Sequence, residues 1–172
     1  CHTQSKFTLK RTMEDFATAD LLDQFPENEV LSPGLLSFGA KPCFYGKAET
    51  VIAPEDNSFV RKALEKPGEN RVLVVDGGGS TLCALLGDQL AQLAVTNGWA
   101  GVIVNGYIRD SQVINEIHIG VRALGTTPRR SIKNNKGSTG ESLHFLGVTI
   151  NSGSWVFADS DGVIISRSNL LL

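Results

Sequence analysis

The apolar positions of this chain change period several times, and each change marks an element. Phe16, Ala19 and Leu22, with Phe25 just beyond, recur at helical spacing over residues 13–24, and Thr12 is placed to cap them. Residues 43–53 are rich in aromatic and β-branched side chains and stop at Pro54, which predicts a strand. Asp56 or Asn57 can cap a second helix running through Lys66, with Phe59, Val60, Ala63 and Leu64 on its core face and Pro67-Gly68 ending it. Val72-Leu73-Val74-Val75 is a continuous apolar run, as expected of a strand covered on both faces.

That strand leads into Asp76-Gly77-Gly78-Gly79-Ser80, then a helical segment to about Asn97, a stop at Gly98, and a second buried strand at Val102-Ile103-Val104. Strand, helix and strand over this length predict a βαβ unit with a parallel pair. Beyond it the pattern predicts a short helix at 111–117, a strand at 121–124 and a polar, basic loop at 126–141. Strands at 145–150 and 155–166 follow, joined by a turn at Asn151-Ser152-Gly153. No repeat, low-complexity tract or linker interrupts the chain, so residues 1–172 are expected to form one α/β domain.

Composition narrows the functional classes. Hydrophobic residues are 41% and charged residues 20% of the 172 residues, enough for a packed core. The net charge of -2 argues against a nucleic-acid surface, and Arg129, Arg130, Lys133 and Lys136 read as a solvated loop because no aromatic residues interleave with them. Cys1, Cys43 and Cys83 are odd in number and lack metal-ligand spacing, which predicts free thiols in a reducing compartment and a cytoplasmic location. No apolar run reaches membrane length, and the start at Cys1 rather than Met leaves upstream targeting open.

The candidate chemistry gathers where the two buried strands end, since open parallel sheets bind ligands at their carboxyl ends. The first ends in Asp76 and three glycines, which have neither the phosphate-loop nor the dinucleotide spacing. A ligand cradle and a plain tight turn both fit them. Gly87-Asp88 also has two readings. One is a continuous helix from Ser80; the other is a helix that starts near Gly87, with amides of Leu85, Leu86 and Gly87 facing an anion. The second strand leads to Arg109-Asp110. A guanidinium fork suits a carboxylate or enolate, and the adjacent carboxylate suits Mg²⁺ or Mn²⁺; a surface ion pair is the plainer alternative. His118 and His144, among apolar neighbours, read as core or edge histidines rather than ligands, and Trp99 and Trp155 as core or interface fillers. Tyr107 reads as a core residue bordering the site.

Arg71-Val72-Leu73-Val74-Val75-Asp76-Gly77-Gly78-Gly79-Ser80, Ala84-Leu85-Leu86-Gly87-Asp88 and Asn105-Gly106-Tyr107-Ile108-Arg109-Asp110 together resemble the ribonuclease E activity regulator A-like family. Phe145-Leu146-Gly147-Val148-Thr149-Ile150 and Ala158-Asp159-Ser160-Asp161-Gly162-Val163 extend the resemblance over nearly the whole chain. The spacing from Asp88 to Arg109-Asp110 resembles that of the metal-dependent 4-hydroxy-4-methyl-2-oxoglutarate aldolase branch. The resemblance implies a β/β/α sandwich, swivelling-domain-like, assembled as a trimer or hexamer with sites near subunit interfaces. It implies that Asp110 contacts Mg²⁺ or Mn²⁺ and that Arg109 binds the 2-oxo group and steadies a pyruvate enolate. Asp88 would orient water on the metal, and the backbone near Leu85, Leu86 and Gly87 would receive the substrate carboxylate.

The implied reaction is retro-aldol cleavage to pyruvate, with oxaloacetate decarboxylation through the same enolate. The other branch of the family implies a protein that binds and inhibits a ribonuclease or an RNA helicase, without contacting nucleic acid itself. One departure stands out: Val113 occupies a position where aldolase members often carry an acid, and Glu116 is the nearest substitute. A methyltransferase reading, sometimes attached to the family, finds no nucleotide loop in this chain.

Overall fold

A computed structural model describes residues 16–172. Its frame is a set of four neighbouring parallel strands, β3 (Phe44–Ile52), β4 (Val72–Asp76), β6 (Gly101–Ile108) and β7 (Gly120–Thr126). The remaining strands are β1 (Glu29–Val30), β2 (Leu36–Phe38), β5 (Ala84–Leu86), β8 (Ser138–Thr139), β9 (Leu143–Phe145), β10 (Val148–Ile150), β11 (Trp155–Asp159) and β12 (Gly162–Ser166). The sheet runs β1-β12-β11-β3-β4-β6-β7-β2, with β5 beside β6 and β8 beside β3, while β9 and β10 form a separate hairpin. Helices α1 (Thr18–Gln24), α2 (Ser58–Leu64), α3 (Asp88–Thr96) and α4 (Ser111–Ile114) complete the chain.

The continuous apolar runs are buried on both faces, as a parallel sheet demands. Leu73, Val75, Val102 and Val104 pack with Val60, Leu64, Leu90, Ala94 and Ile114 of the helices. Val72, Val74 and Ile103, which alternate with them along the strands, pack with Leu143, Phe145, Val148 and Ile150 of the hairpin and with Val156 and Val163. The result is the expected β/β/α arrangement. Phe44 fits only because two strand positions opposite it are glycines: a Cβ on Gly101 or Gly120 would lie 2.4 or 2.2 Å from its ring.

Several boundaries differ from the sequence reading. The first helix begins at Thr18 behind an extended Ala17, because the Asp159 carboxylate accepts hydrogen bonds from the Thr18 amide and hydroxyl, each at 2.7 Å. Thr12 and residues 13–15, assigned to that helix from sequence, lie outside the described residues. The single strand expected at 145–150 is instead the end of the first arm, the turn and the second arm of the β9–β10 hairpin, reversed at Leu146-Gly147, both with left-handed φ. Residues 155–166 likewise fold back on themselves as β11 and β12. The short helix ends at Ile114 rather than 117. No described helix is long and apolar enough to cross a membrane.

The basic stretch after β7 is pinned by Asp56 rather than loose. Burial pushes the Asp56 carboxyl up, but hydrogen bonds from the Ser58 hydroxyl and from the amides of Ser58, Asn134 and Lys136 outweigh this and hold its pKa at about 2. Arg129, Arg130, Lys133 and Lys136 themselves are exposed, as expected. Asp56→Ala leaves those amides without their acceptor and should cost about 3 kcal/mol in urea unfolding at neutral pH. The native pKa lies below the ordinary 3.8, so this stabilisation is full above about pH 4 and disappears as pH falls towards 2. Unfolding midpoints of the wild type and Asp56→Asn should therefore converge at pH 2; a constant difference would contradict the assignment.

Candidate active site

The register of β4 and β6 sets Asp76 opposite Asn105, so the two sequence motifs lie side by side at the carboxyl ends of their strands. The glycine turn proves self-contained. The amides of Gly77 and Gly79 donate to the Asn105 carbonyl at 3.0 and 3.1 Å, and the Gly78 amide donates to Asp76 Oδ1 at 2.8 Å. Asn105 Nδ2 donates to the same carboxylate oxygen at 2.9 Å. Gly78 and Gly79 take left-handed φ of 66° and 73°, which explains the glycines without a ligand. Of the two readings left open, the tight turn describes what these amides do.

The Gly87 alternatives resolve towards a helix start. Helix α3 begins at Asp88, with Gly87 as an extended N-cap (φ -125°, ψ -171°). The preceding residues form strand β5 rather than a helix, and this strand was not foreseen from sequence. Three residues, Ala84–Leu86, are a short signal, and their pairing to β6 is tertiary. Leu85 and Leu86 bury their side chains, and the Leu86 carbonyl accepts the Arg109 amide at 3.0 Å. That bond ties the helix start to the end of β6.

Arg109 and Asp110 thus sit directly against the α3 N-terminus. Asp110 has a left-handed φ of 59° as the N-cap of α4, a conformation an aspartate tolerates but that stores strain. Its Oδ2 accepts the Asp88 amide at 3.3 Å, where the helix dipole favours negative charge. Asp88 Oδ1 accepts the Gln89 amide at 2.8 Å. A Cβ on Gly87 would stand 3.0 Å from Asp110 Oδ2 and 3.6 Å from Arg109 Nε, so glycine here admits both side chains.

The half-buried Arg109 guanidinium forms no hydrogen bond or ion pair with another described residue. The plain surface ion pair with Asp110 is therefore not made. A fork of donors and an exposed carboxylate stand together at a positive helix end, an arrangement able to hold a small anion beside a cation. Among the described residues, no three His, Cys, Asp or Glu side chains converge into a metal cage.

Other sequence candidates fall elsewhere. Tyr107 lies half-buried over Gly125, where a Cβ would meet its ring at 2.7 Å. His118 and His144 are both exposed, so neither is a core histidine; His144 Nδ1 pairs with Thr149 Oγ1 at 2.9 Å across the hairpin. Val113 is 49% exposed on α4, and Glu116 is exposed just beyond it. Burial raises the pKa of the Cys83 thiol, with the Glu55 and Asp56 carboxylates adding to the effect, so it is an inert core thiol. Cys43 is only half-buried. Trp99 fills the core, donating Nε1–H to the Lys66 carbonyl at 3.2 Å.

Sequence reasoning passed over Arg122, which is buried on β7. It gives its guanidinium to the carbonyls of Val121, Pro42 and Asp159 and lies over the Phe44 ring. The single charge inside an apolar run, Val121-Arg122-Ala123, is the signal that could have found it.

The family model RraA-like, described as Aldolase/RraA, matches residues 18–165. A provisionally named 4-hydroxy-4-methyl-2-oxoglutarate aldolase of Laribacter hongkongensis is 52% identical over 91% of this chain and 99% of its own length. A solved structure described as an S-adenosylmethionine: 2-dimethylmenaquinone methyltransferase from Geobacillus kaustophilus superposes with a TM-score of 0.89 at 48% identity, covering 91% of this chain and 98% of the other. That of the RNA-processing inhibitor RraA from Thermus thermophilis superposes with a TM-score of 0.87 at 44% identity, covering 90% and 94%.

Proposed function

We propose a function from one established premise: this chain belongs to the RraA-like family. Its function, in our reading, is divalent-metal-dependent retro-aldol cleavage of 4-hydroxy-4-methyl-2-oxoglutarate-type substrates to pyruvate, with oxaloacetate decarboxylation as a side activity. The observation that carries this reading is the uncommitted Arg109 guanidinium beside Asp110 and the α3 N-terminus, in a chain whose relatives bear aldolase names.

The donor set fits Mg²⁺ or Mn²⁺. These ions accept one or two carboxylates and keep several waters, whereas a structural zinc site needs four protein ligands and a catalytic one usually three. Asp110 would hold the ion directly and Asp88 through water. When bound, the ion supplies positive charge that polarises the 2-oxo group. Arg109 binds the 2-oxo oxygen, while the backbone from Leu85 to Gly87 at the α3 start receives the adjoining carboxylate. Asp88 takes the C4 hydroxyl proton by way of water. The C3–C4 bond then breaks, its electron pair moves towards the 2-oxo oxygen, and C4 leaves as the carbonyl carbon of the second product. Arg109 stabilises the charge of the pyruvate enolate until C3 is protonated.

We read residues 1–172 as one cytoplasmic domain assembling as a trimer or a hexamer. Light scattering should give three or six chains per particle, and a monomer at micromolar concentration would remove this part of the reading. Gly87→Ala keeps an allowed backbone but crowds Asp110, so kcat/KM should fall about tenfold with the melting temperature nearly unchanged. The overall test is pyruvate release from 4-hydroxy-4-methyl-2-oxoglutarate with Mg²⁺ and with EDTA. Release only with the metal is expected, and release unaffected by EDTA would overturn the metal-dependent reading.

A second reading, an inhibitor that binds a ribonuclease E-type enzyme or an RNA helicase, draws support from the likeness to the Thermus RNA-processing inhibitor. Catalysis in a crevice and binding on an outer surface are compatible. Copurification with such a partner, unaltered in Asp110→Ala, would support it; no copurification from the native cell would count against it. Methyl transfer has the likeness to the Geobacillus structure but no site to support it, because the amides of the glycine turn are spent on Asn105 and Asp76 and offer a nucleotide no cradle.

A further inference from the structure

The parallel strands start in register at one end and leave a gap there. β3 begins at Phe44, but its pairing with β4 begins only at Ala48, opposite Val72. Residues 44–47 are paired with β11 on one edge, from Trp155↔Lys47 to Ala158↔Phe44. On the other edge no strand of the described residues pairs with them, and a strand presents half of its backbone donors and acceptors to each edge. The gap is a cavity of about 480 Å³, within the size range of small-molecule sites.

Its walls carry more basic than acidic side chains. Lys41, Lys47 and Arg71 line it against a single acid, Glu69. Arg71 is committed to Glu49 at 3.3 Å, which leaves the two lysines as the available cations. Half-buried aromatic side chains stand beside them: Tyr45 and Trp155 both line the cavity, their rings 6.3 Å apart and each also stacked on Phe157. Lys47 Nζ lies 5.8 Å from the Trp155 ring centre, so cation and ring face share one end of the cavity.

The remaining wall is preformed. Glu69 and Asn70 both hold left-handed φ, 54° and 60°, fastened by the bonds from the Gly68 amide to the Asn97 carbonyl and from the Asn70 amide to the Gly98 carbonyl, at 2.7 and 2.8 Å. Gly46 is required by this closeness, since a Cβ there would strike the Asn70 carbonyl at 2.1 Å. Such strain, held by surrounding bonds, is a recurrent mark of ligand clamps.

We propose that this cavity, at the amino ends of the parallel strands, is a second binding site, taking a small planar aromatic carboxylate. The ring lies against Tyr45 and Trp155, and the carboxylate meets Lys41 and Lys47. The site is separate from Arg109-Asp110, since the length of the strands puts about 16 Å between the two ends of the sheet.

Calorimetric titration of the whole chain with 2-naphthoate tests this. Binding at millimolar or lower concentration is expected, weakened at least tenfold by Lys41→Glu together with Lys47→Glu. Both lysines are away from the core, so the variant should fold, and circular dichroism checks that it does. Trp155→Leu should weaken binding as well, whereas Asp110→Ala should leave it unchanged. Cyclohexanecarboxylate, with the same charge and no π face, should bind at least tenfold more weakly. No binding of 2-naphthoate, equal binding of the saturated acid, or binding untouched in the double lysine variant would each overturn the proposal.

Discussion

Asp110→Ala should lose pyruvate release by about a thousandfold or more while the protein stays folded. The carboxylate is exposed and accepts the Asp88 amide, so its removal opens no cavity in the core. Relief of the left-handed strain at this position offsets part of the lost hydrogen bond only if the chain relaxes, and alanine is less tolerant of that conformation than aspartate. Stability should therefore fall by about 1 kcal/mol. In the proposed mechanism the activity loss has a different origin, the loss of the carboxylate that would hold the cation beside Arg109. Titration of Mn²⁺ should show the same loss as the kinetics. Full Mn²⁺ affinity in Asp110→Ala would remove the residue from its assigned role even if turnover were lost.

Arg109→Lys should lower kcat by about a hundredfold and raise KM far less. Lysine keeps the charge but replaces a planar fork with a single ammonium, so the geometry that would match the 2-oxo oxygen and the developing enolate in the proposed mechanism is lost. Because the guanidinium makes no bond within the described chain, the substitution severs no structural contact. Thermal unfolding should shift by no more than a few degrees. A variant that keeps its kcat would mean that charge alone suffices at this position.

Much of this site was legible in the sequence because its pieces are local. The runs Val72–Val75 and Val102–Val104 are covered on both faces, as parallel neighbours are, and their parallel pairing brings Asp76 and Asn105 side by side at the carboxyl end of the sheet. Gly87 in a helical pattern offered the start of α3 as one of two readings, and that is the one the fold adopts. What the sequence concealed depends on distant partners. β5 is a strand only because β6 lies beside it, and α1 starts at Thr18 because Asp159 satisfies its first amide. The role of Asp56 requires Asn134 and Lys136, nearly eighty residues away, to close over it. Leu146-Gly147 broke an apolar run that alternation alone would carry through, and only the left-handed φ of both residues reveals the hairpin.

The reading stands or falls on whether this site makes a pyruvate enolate, and that can be measured without knowing the natural aldol substrate. Pyruvate is incubated with the protein and Mg²⁺ in D₂O, and loss of its methyl proton signal is followed by NMR. The expected result is methyl exchange above the background of Mg²⁺ alone, stopped by EDTA and absent in Arg109→Ala. No exchange above that background from folded, metal-loaded protein would contradict enolate chemistry at Arg109-Asp110.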